Sequence, residues 1–179
     1  LGCAAVTHKY LGPVYDINIG GVDEIFPHGE NILAVHKAYS GRSGANYWLS
    51  TELVLVGGRK MSRSLGNTIT LRQLMEKGYS GTDVRFFLMA VNYRKPIHYS
   101  EASLTAAKNT VKKLQGFVDR LLSIDQPRSK DGGDIEQLIY DLKSGFTASL
   151  DDDLNIAAAL AAIFEFMGKV NVLLSQQAV

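Results

Sequence analysis

Hydrophobic periodicity changes character once along this chain, near Tyr93-Arg94-Lys95-Pro96, and that change restricts the fold more than any other feature. Ahead of it, runs that alternate or cluster like strands (14–19 and 47–56) are interleaved with a helical segment (30–39). Strand and helix in alternation make an α/β pattern. Thr70 is placed to cap a helix over 71–77 that Gly78 stops, and Thr82 or Asp83 opens another running to Ala90. Beyond Pro96 every segment reads as helix. Ser100 caps a long one, in which Leu104, Ala107, Val111, Leu114, Phe117, Val118, Leu121 and Leu122 form a single apolar stripe. The loop 125–133, rich in Asp, Ser, Pro and Gly, ends that stripe, and helices over 134–150 and 156–175 follow. The expected division is an α/β domain over 1–95 and a helical bundle over 96–179.

Composition removes several classes of function. Hydrophobic residues make up 46% and charged residues 21% of the 179. No apolar run comes near the ~18 residues that span a bilayer, so a membrane role is not expected. Residues 1–6 are too short, and lack the basic flank, for a signal peptide. The single cysteine excludes an internal disulfide and fits a reducing, cytoplasmic setting. Nineteen Lys and Arg against eighteen Asp and Glu leave almost no net field, so an RNA contact requires a local patch. Arg94 with Lys95, and the helical face of Lys108, Lys112 and Lys113, are candidates; plain solvation is the equal alternative. Tyr47 and Trp48 read as core aromatics, and Asp151-Asp152-Asp153 as charges favouring a helix N-terminus.

The chemistry concentrates in Gly58-Arg59-Lys60-Met61-Ser62-Arg63-Ser64-Leu65-Gly66-Asn67, a basic, hydroxyl-bearing loop between glycines. Lys60 and Arg63 can place positive charge where the β- and γ-phosphates of a nucleotide triphosphate gain negative charge. Ser62, Ser64 and backbone N–H groups around Met61 supply hydrogen bonds, while the glycines allow the loop to open and close. A solvated surface turn is the bland alternative for five such residues alone. A second turn, Gly20-Gly21 followed by Asp23, lets the backbone approach a ribose or adenine and offers a carboxylate to a hydroxyl or ammonium group.

The loop resembles the KMSKS segment of class I aminoacyl-tRNA synthetases, and residues 60–67 resemble the cysteinyl-tRNA synthetase version in particular. Asp16-Ile17-Asn18-Ile19-Gly20-Gly21-Val22-Asp23-Glu24-Ile25-Phe26-Pro27-His28-Gly29-Glu30-Asn31 is similar to that family's strand, Gly-Gly-x-Asp turn and Phe-Pro-His-His-Glu-Asn helix start. Asn46-Tyr47-Trp48-Leu49, Arg85-Phe86-Phe87-Leu88 and Asp151-Asp152-Asp153-Leu154-Asn155 match further family segments in the same order. The resemblance implies the second half of a Rossmann-like catalytic domain followed by a helical anticodon-stem-type domain. It also implies ATP with Mg2+, L-cysteine and tRNA(Cys) as substrates and partners. Gly20, Gly21, Asp23, Lys60, Met61, Ser62, Arg63 and Ser64 would then bind ATP, with Lys60 and Arg63 catalytic. Arg63 stands where the family has its second lysine, and a planar guanidinium is not equivalent to an ammonium.

The family reads the substrate thiol with zinc, a metal that prefers a soft thiolate to a hydroxyl. Two of its ligand positions match Cys3 and His28 here, but the glutamate beyond the histidine is Ile32. Asn18 and Gly29 stand at two further family histidines. Cys3 and His28 alone are too few for a closed tetrahedral site, even with His36 one turn past Ile32. The rival reading is a lone cysteine and a helix-start histidine held by packing. The family's His-Ile-Gly-His signature does not occur, and the N-terminal half of the catalytic domain that would carry it is expected before Leu1. The isolated chain is therefore expected to be inactive. A mycothiol-type ligase joining cysteine to an amino sugar, and a non-catalytic synthetase-like binding module, are the alternatives.

Overall fold

A helix that apolar spacing does not reveal opens the computed structural model, which describes residues 2–124 and 133–176. This is α1 (Gly2–Leu11), whose one buried residue is Ala4, too little to mark a stripe. It leads into β1 (Val14–Gly21), which α2 (Glu30–Ser40) connects to the parallel strand β2 (Gly44–Thr51). Gly41, left-handed at φ 71°, ends α2 by donating to the Lys37 carbonyl at 3.0 Å. The register pairs Ile17 with Tyr47, Asn18 with Trp48, Gly20 with Ser50 and Gly21 with Thr51. Tyr47 and Trp48, expected in the core, are 68% and 37% exposed, because a two-stranded sheet covers little of either face.

The expected strand over 47–56 is two strands. At the break the Glu52 N–H donates to the Tyr93 carbonyl at 2.8 Å, and the Ile97 N–H donates to the Leu53 carbonyl at 3.0 Å. The chain resumes as β3 (Val54–Val56) and turns back as β4 (Arg59–Lys60), with Leu55 opposite Lys60 and Val56 opposite Arg59. Gly57 and Gly58 form the hairpin turn with φ of 58° and 76°, backbone that side chains resist and that suits the twist of the strands. Residues 1–61 and 93–97 make one compact unit; residues 62–92 and 98–179 make another. The units thus divide differently from the change in periodicity at 93–96.

Helices of the second unit start on their own capping chemistry. Thr70 caps α3 (Leu71–Glu76) in a reciprocal box with Gln73, as its sequence suggests. Ser80, and not Thr82 or Asp83, caps α4 (Gly81–Met89): Asp83 is the return partner, accepting from the Ser80 N–H at 2.8 Å. After β5 (Ile97–Tyr99), Ser100 and Ser103 form a third box at the start of α5 (Glu101–Leu122). Then come α6 (Gly133–Asp151) and α7 (Ile156–Gln176). The expected loop over 125–133 lies outside the described residues apart from Gly133, which opens α6.

The second core gathers Leu74, Phe87, Leu104, Ala107, Ala159, Met167 and Val170. Phe87 meets Tyr99, and Phe117 meets Phe166, edge to face with centroids 6.1 and 6.2 Å apart. The α5 stripe is buried at Leu104 and Ala107 but exposed at Val118, Leu121 and Leu122. Asn155 reaches the start of α7, its side chain accepting from the Ala158 N–H at 3.3 Å. One expectation is corrected here. Over Ile156–Ser175, α7 is 20 residues long with mean hydropathy 1.7, enough to cross a bilayer by length and composition alone.

Candidate functional site

Gly20 and Gly21 end β1 at the carboxyl edge of the parallel pair, the edge at which α/β sheets bind ligands. The Thr51 hydroxyl holds that edge across the pair, donating to the Gly20 carbonyl at 3.4 Å. A 3-10 turn (Val22–Glu24) follows and folds the Asp23 carboxylate back over Gly21. A Cβ at Gly21 would lie 2.6 Å from Asp23 Oδ1, so a side chain at 21 would displace this carboxylate from its present position. At Gly20 the nearest atom to an added Cβ is Glu24 Oε2 at 3.4 Å, an ordinary contact.

The β3–β4 hairpin delivers Lys60 to this edge. Its Nζ donates to Asp23 Oδ2, forming an ion pair across 37 positions of sequence. The hydrogen bond from the Lys60 ammonium holds the Asp23 carboxyl below the usual carboxylate range, against a smaller upward push from desolvation. Both side chains remain part-exposed, so the pair is screened by water and is exchangeable. A phosphate oxygen would present Lys60 with the same kind of partner that Asp23 now supplies.

Met61 continues the hairpin, its N–H donating to the Val54 carbonyl at 2.9 Å. The rest of the loop belongs to the second unit and is closed by its own bonds. The Ser62 N–H donates to Asn67 Oδ1 at 2.9 Å, the Leu65 N–H to Ser62 Oγ at 3.3 Å, and the Gly66 N–H to the Arg63 carbonyl at 3.1 Å. Ser62 and Ser64 hydroxyls lie 3.2 Å apart, and Arg63 is exposed. The structure thus links Gly21, Asp23 and Lys60 in the first unit, while Ser62, Arg63 and Ser64 form a separate preformed turn.

Cys3 and His28 are both exposed, and among the described residues no group of three or more His, Cys, Asp or Glu can hold a metal ion. Asn18, at a family histidine position, accepts from the Tyr15 hydroxyl at 3.1 Å. Burial raises the Tyr15 phenol above its ordinary value. Of the basic candidates, Lys108 is engaged locally, donating to the Gly78 carbonyl at 2.6 Å and lying over the Tyr79 ring. Arg94 lies over Tyr93.

The family profile described as tRNA synthetases class I (C) catalytic domain matches residues 1–109, well over half of the chain. The chain belongs to that family. A DALR domain profile matches residues 145–179. A Cysteine--tRNA ligase of Chlamydia caviae is 39% identical over 176 residues, covering 98% of this chain and 37% of that protein. A Cysteine--tRNA ligase of Methanococcus maripaludis is 40% identical, covering 97% of this chain and 37% of that protein. The chain therefore spans little more than a third of the length of these relatives. Among solved structures, a LeuRS in ternary complex with tRNA and LeuAMS, from Agrobacterium radiobacter, matches with a TM-score of 0.61 at 24% identity. It covers 86% of this chain and 22% of that one, and it supports the fold: a class I synthetase sheet followed by helices. The KMSKS resemblance and the Gly-Gly-x-Asp turn both fall inside the matched catalytic profile.

Proposed function

We propose that this chain is the KMSKS-bearing portion of a cytoplasmic cysteine--tRNA ligase. In the complete reaction a cysteine carboxylate oxygen attacks the α-phosphorus of ATP, and the bond to the bridging oxygen breaks so that pyrophosphate leaves with the electron pair. The tRNA(Cys) terminal hydroxyl then attacks the adenylate carbonyl and AMP departs. Lys60 and Arg63 stabilise charge on the departing pyrophosphate. Gly20 and Gly21 bring backbone against the adenylate, Asp23 takes a hydroxyl or ammonium group, and Met61, Ser62 and Ser64 complete the phosphate side. Mg2+ accompanies ATP, and the helical half meets the tRNA.

One observation carries this reading: Lys60 of the loop is bonded to Asp23 of the Gly-Gly-x-Asp turn. Two segments assigned independently to one nucleotide are therefore within a side chain's reach. Exchange of labelled pyrophosphate into ATP in the presence of cysteine tests it, using the polypeptide that carries this chain. Lys60→Met should lower the rate by about two orders of magnitude, as loss of a transition-state charge contact does. An unchanged rate would remove Lys60 from the reaction.

A further inference from the structure

The apolar stripe of α5 runs on from its buried part into an open pocket. Val111, Leu114 and Val118 of that stripe line it together with Gln115, and Val118 remains 46% exposed. The facing wall is α4, which contributes Thr82, Arg85, Phe86 and Met89, the last 56% exposed. On both helices the lining residues recur at i, i+3, i+4 and i+7, so each helix presents one continuous face to the space between them. The first turns of α7, at Ile156 and Leu160, supply a third wall. The enclosed volume is about 340 Å³, the lower end of the ~300 to 1,000 Å³ range of small-molecule pockets. Such pockets are mainly apolar with a few placed polar groups, and this one has that make-up.

Its single charge selects the ligand. Arg85 is the one ionic residue of the lining. It is exposed, and among the described residues its guanidinium has no hydrogen-bond or ion-pair partner. Gln115 on the facing wall is already engaged, its amide donating to Asp119 Oδ1 at 2.8 Å. Thr82 lies one turn before Arg85 on the same side of α4 and adds a hydroxyl donor. The pocket is therefore polar and cationic toward the start of α4 and apolar toward its end, at Phe86 and Met89. A planar guanidinium fork fits the two oxygens of a carboxylate. A hydrocarbon alone would gain nothing from that fork, and a phosphate monoester would bring nearly two negative charges to one cation.

We propose that the pocket between α4 and α5 binds a small apolar carboxylate, its two oxygens on Arg85 and its hydrocarbon chain against Phe86, Met89, Leu114 and Val118. None of these residues belongs to the nucleotide loop or to the Gly20-Gly21 turn, so the site is independent of the reading above. Hexanoate, butanoate and hexan-1-ol titrated separately into the chain, followed by NMR of the methionine methyl groups, test the proposal. The chain has four methionines, of which Met89 lines the pocket. Hexanoate should shift Met89 saturably and leave Met61, Met75 and Met167 in place. It should bind about five- to tenfold more tightly than hexan-1-ol, the contribution of charge-assisted bonds at a solvated site, and about tenfold more tightly than butanoate, which is two methylenes shorter. Arg85→Met should abolish the preference for the acid over the alcohol while leaving the alcohol's affinity unchanged. Val118→Ser, at a part-exposed position, should weaken hexanoate about threefold with the fold intact. Equal affinity for acid and alcohol, a preference that survives Arg85→Met, or a Met89 signal that does not respond overturns the proposal. So does a Met89 signal that responds in this chain but not in the longer polypeptide that carries it, since a segment of that polypeptide would then fill the pocket.

Discussion

The two compact units stabilise themselves by different means. In the second unit each of α3, α4 and α5 begins with a reciprocal capping box confined to four neighbouring residues, and the long helices then bury Leu104, Ala159 and Val170. In the first unit the decisive contacts are distant in sequence: parallel register of β1 with β2, Gly44 against His36, Lys60 against Asp23. Local chemistry makes a scaffold whose elements form independently; non-local chemistry places a site whose parts form only together. The candidate chemistry lies mainly in the unit built the second way.

The largest effect that sharpens this contrast should come from the helical core. Leu104 has no exposed surface, and Leu104→Ala should cost about 2 to 5 kcal/mol, measured by urea unfolding. Gly44→Ala should be nearly as severe in the first unit, about 2 to 4 kcal/mol, because φ is 81° and the new methyl meets the His36 ring. Gly12→Ala supplies the control. There φ is 89° but nothing lies within 4 Å, so the cost should be only about 1 to 2 kcal/mol. If the two glycines respond alike, packing on His36 is not what distinguishes them. Ser100→Ala should remove about 1 kcal/mol and fray α5 locally, seen as faster amide exchange in its first turn.

The smallest effect concerns Asp23. Its carboxyl titrates below the ordinary value in the folded chain, so the unfolded chain holds that proton more tightly. The pair with Lys60 therefore contributes above the ordinary carboxylate pKa, and the contribution disappears as pH falls through the lowered folded value. Carboxyl-carbon NMR of Asp23 should show the low midpoint, returning to the usual range in Lys60→Met. A midpoint indifferent to that substitution would detach the hairpin from the turn.

What could be read in advance follows the same division. Thr70 and Ser100 were legible as caps because cap, partner and helix occupy consecutive residues. Ser80 was missed: Ser80, Thr82 and Asp83 all suit an N-cap, and only the geometry of the box decides among them. The break at Glu52-Leu53 was invisible, since the groups that cause it, the Tyr93 carbonyl and Ile97 N–H, lie about forty residues on. At the candidate site, residue types announced Lys60 and Asp23 separately, but no local pattern announces their bond.

Because the Asp23 carboxylate fills the space a methyl group at Gly21 would need, a change at one of these positions is felt at the other. A lineage that gains a side chain at 21 turns the acid at 23 aside, and with it the anchor for Lys60. Substitution histories of related chains should show the trio changing in concert, with the glycine last to yield.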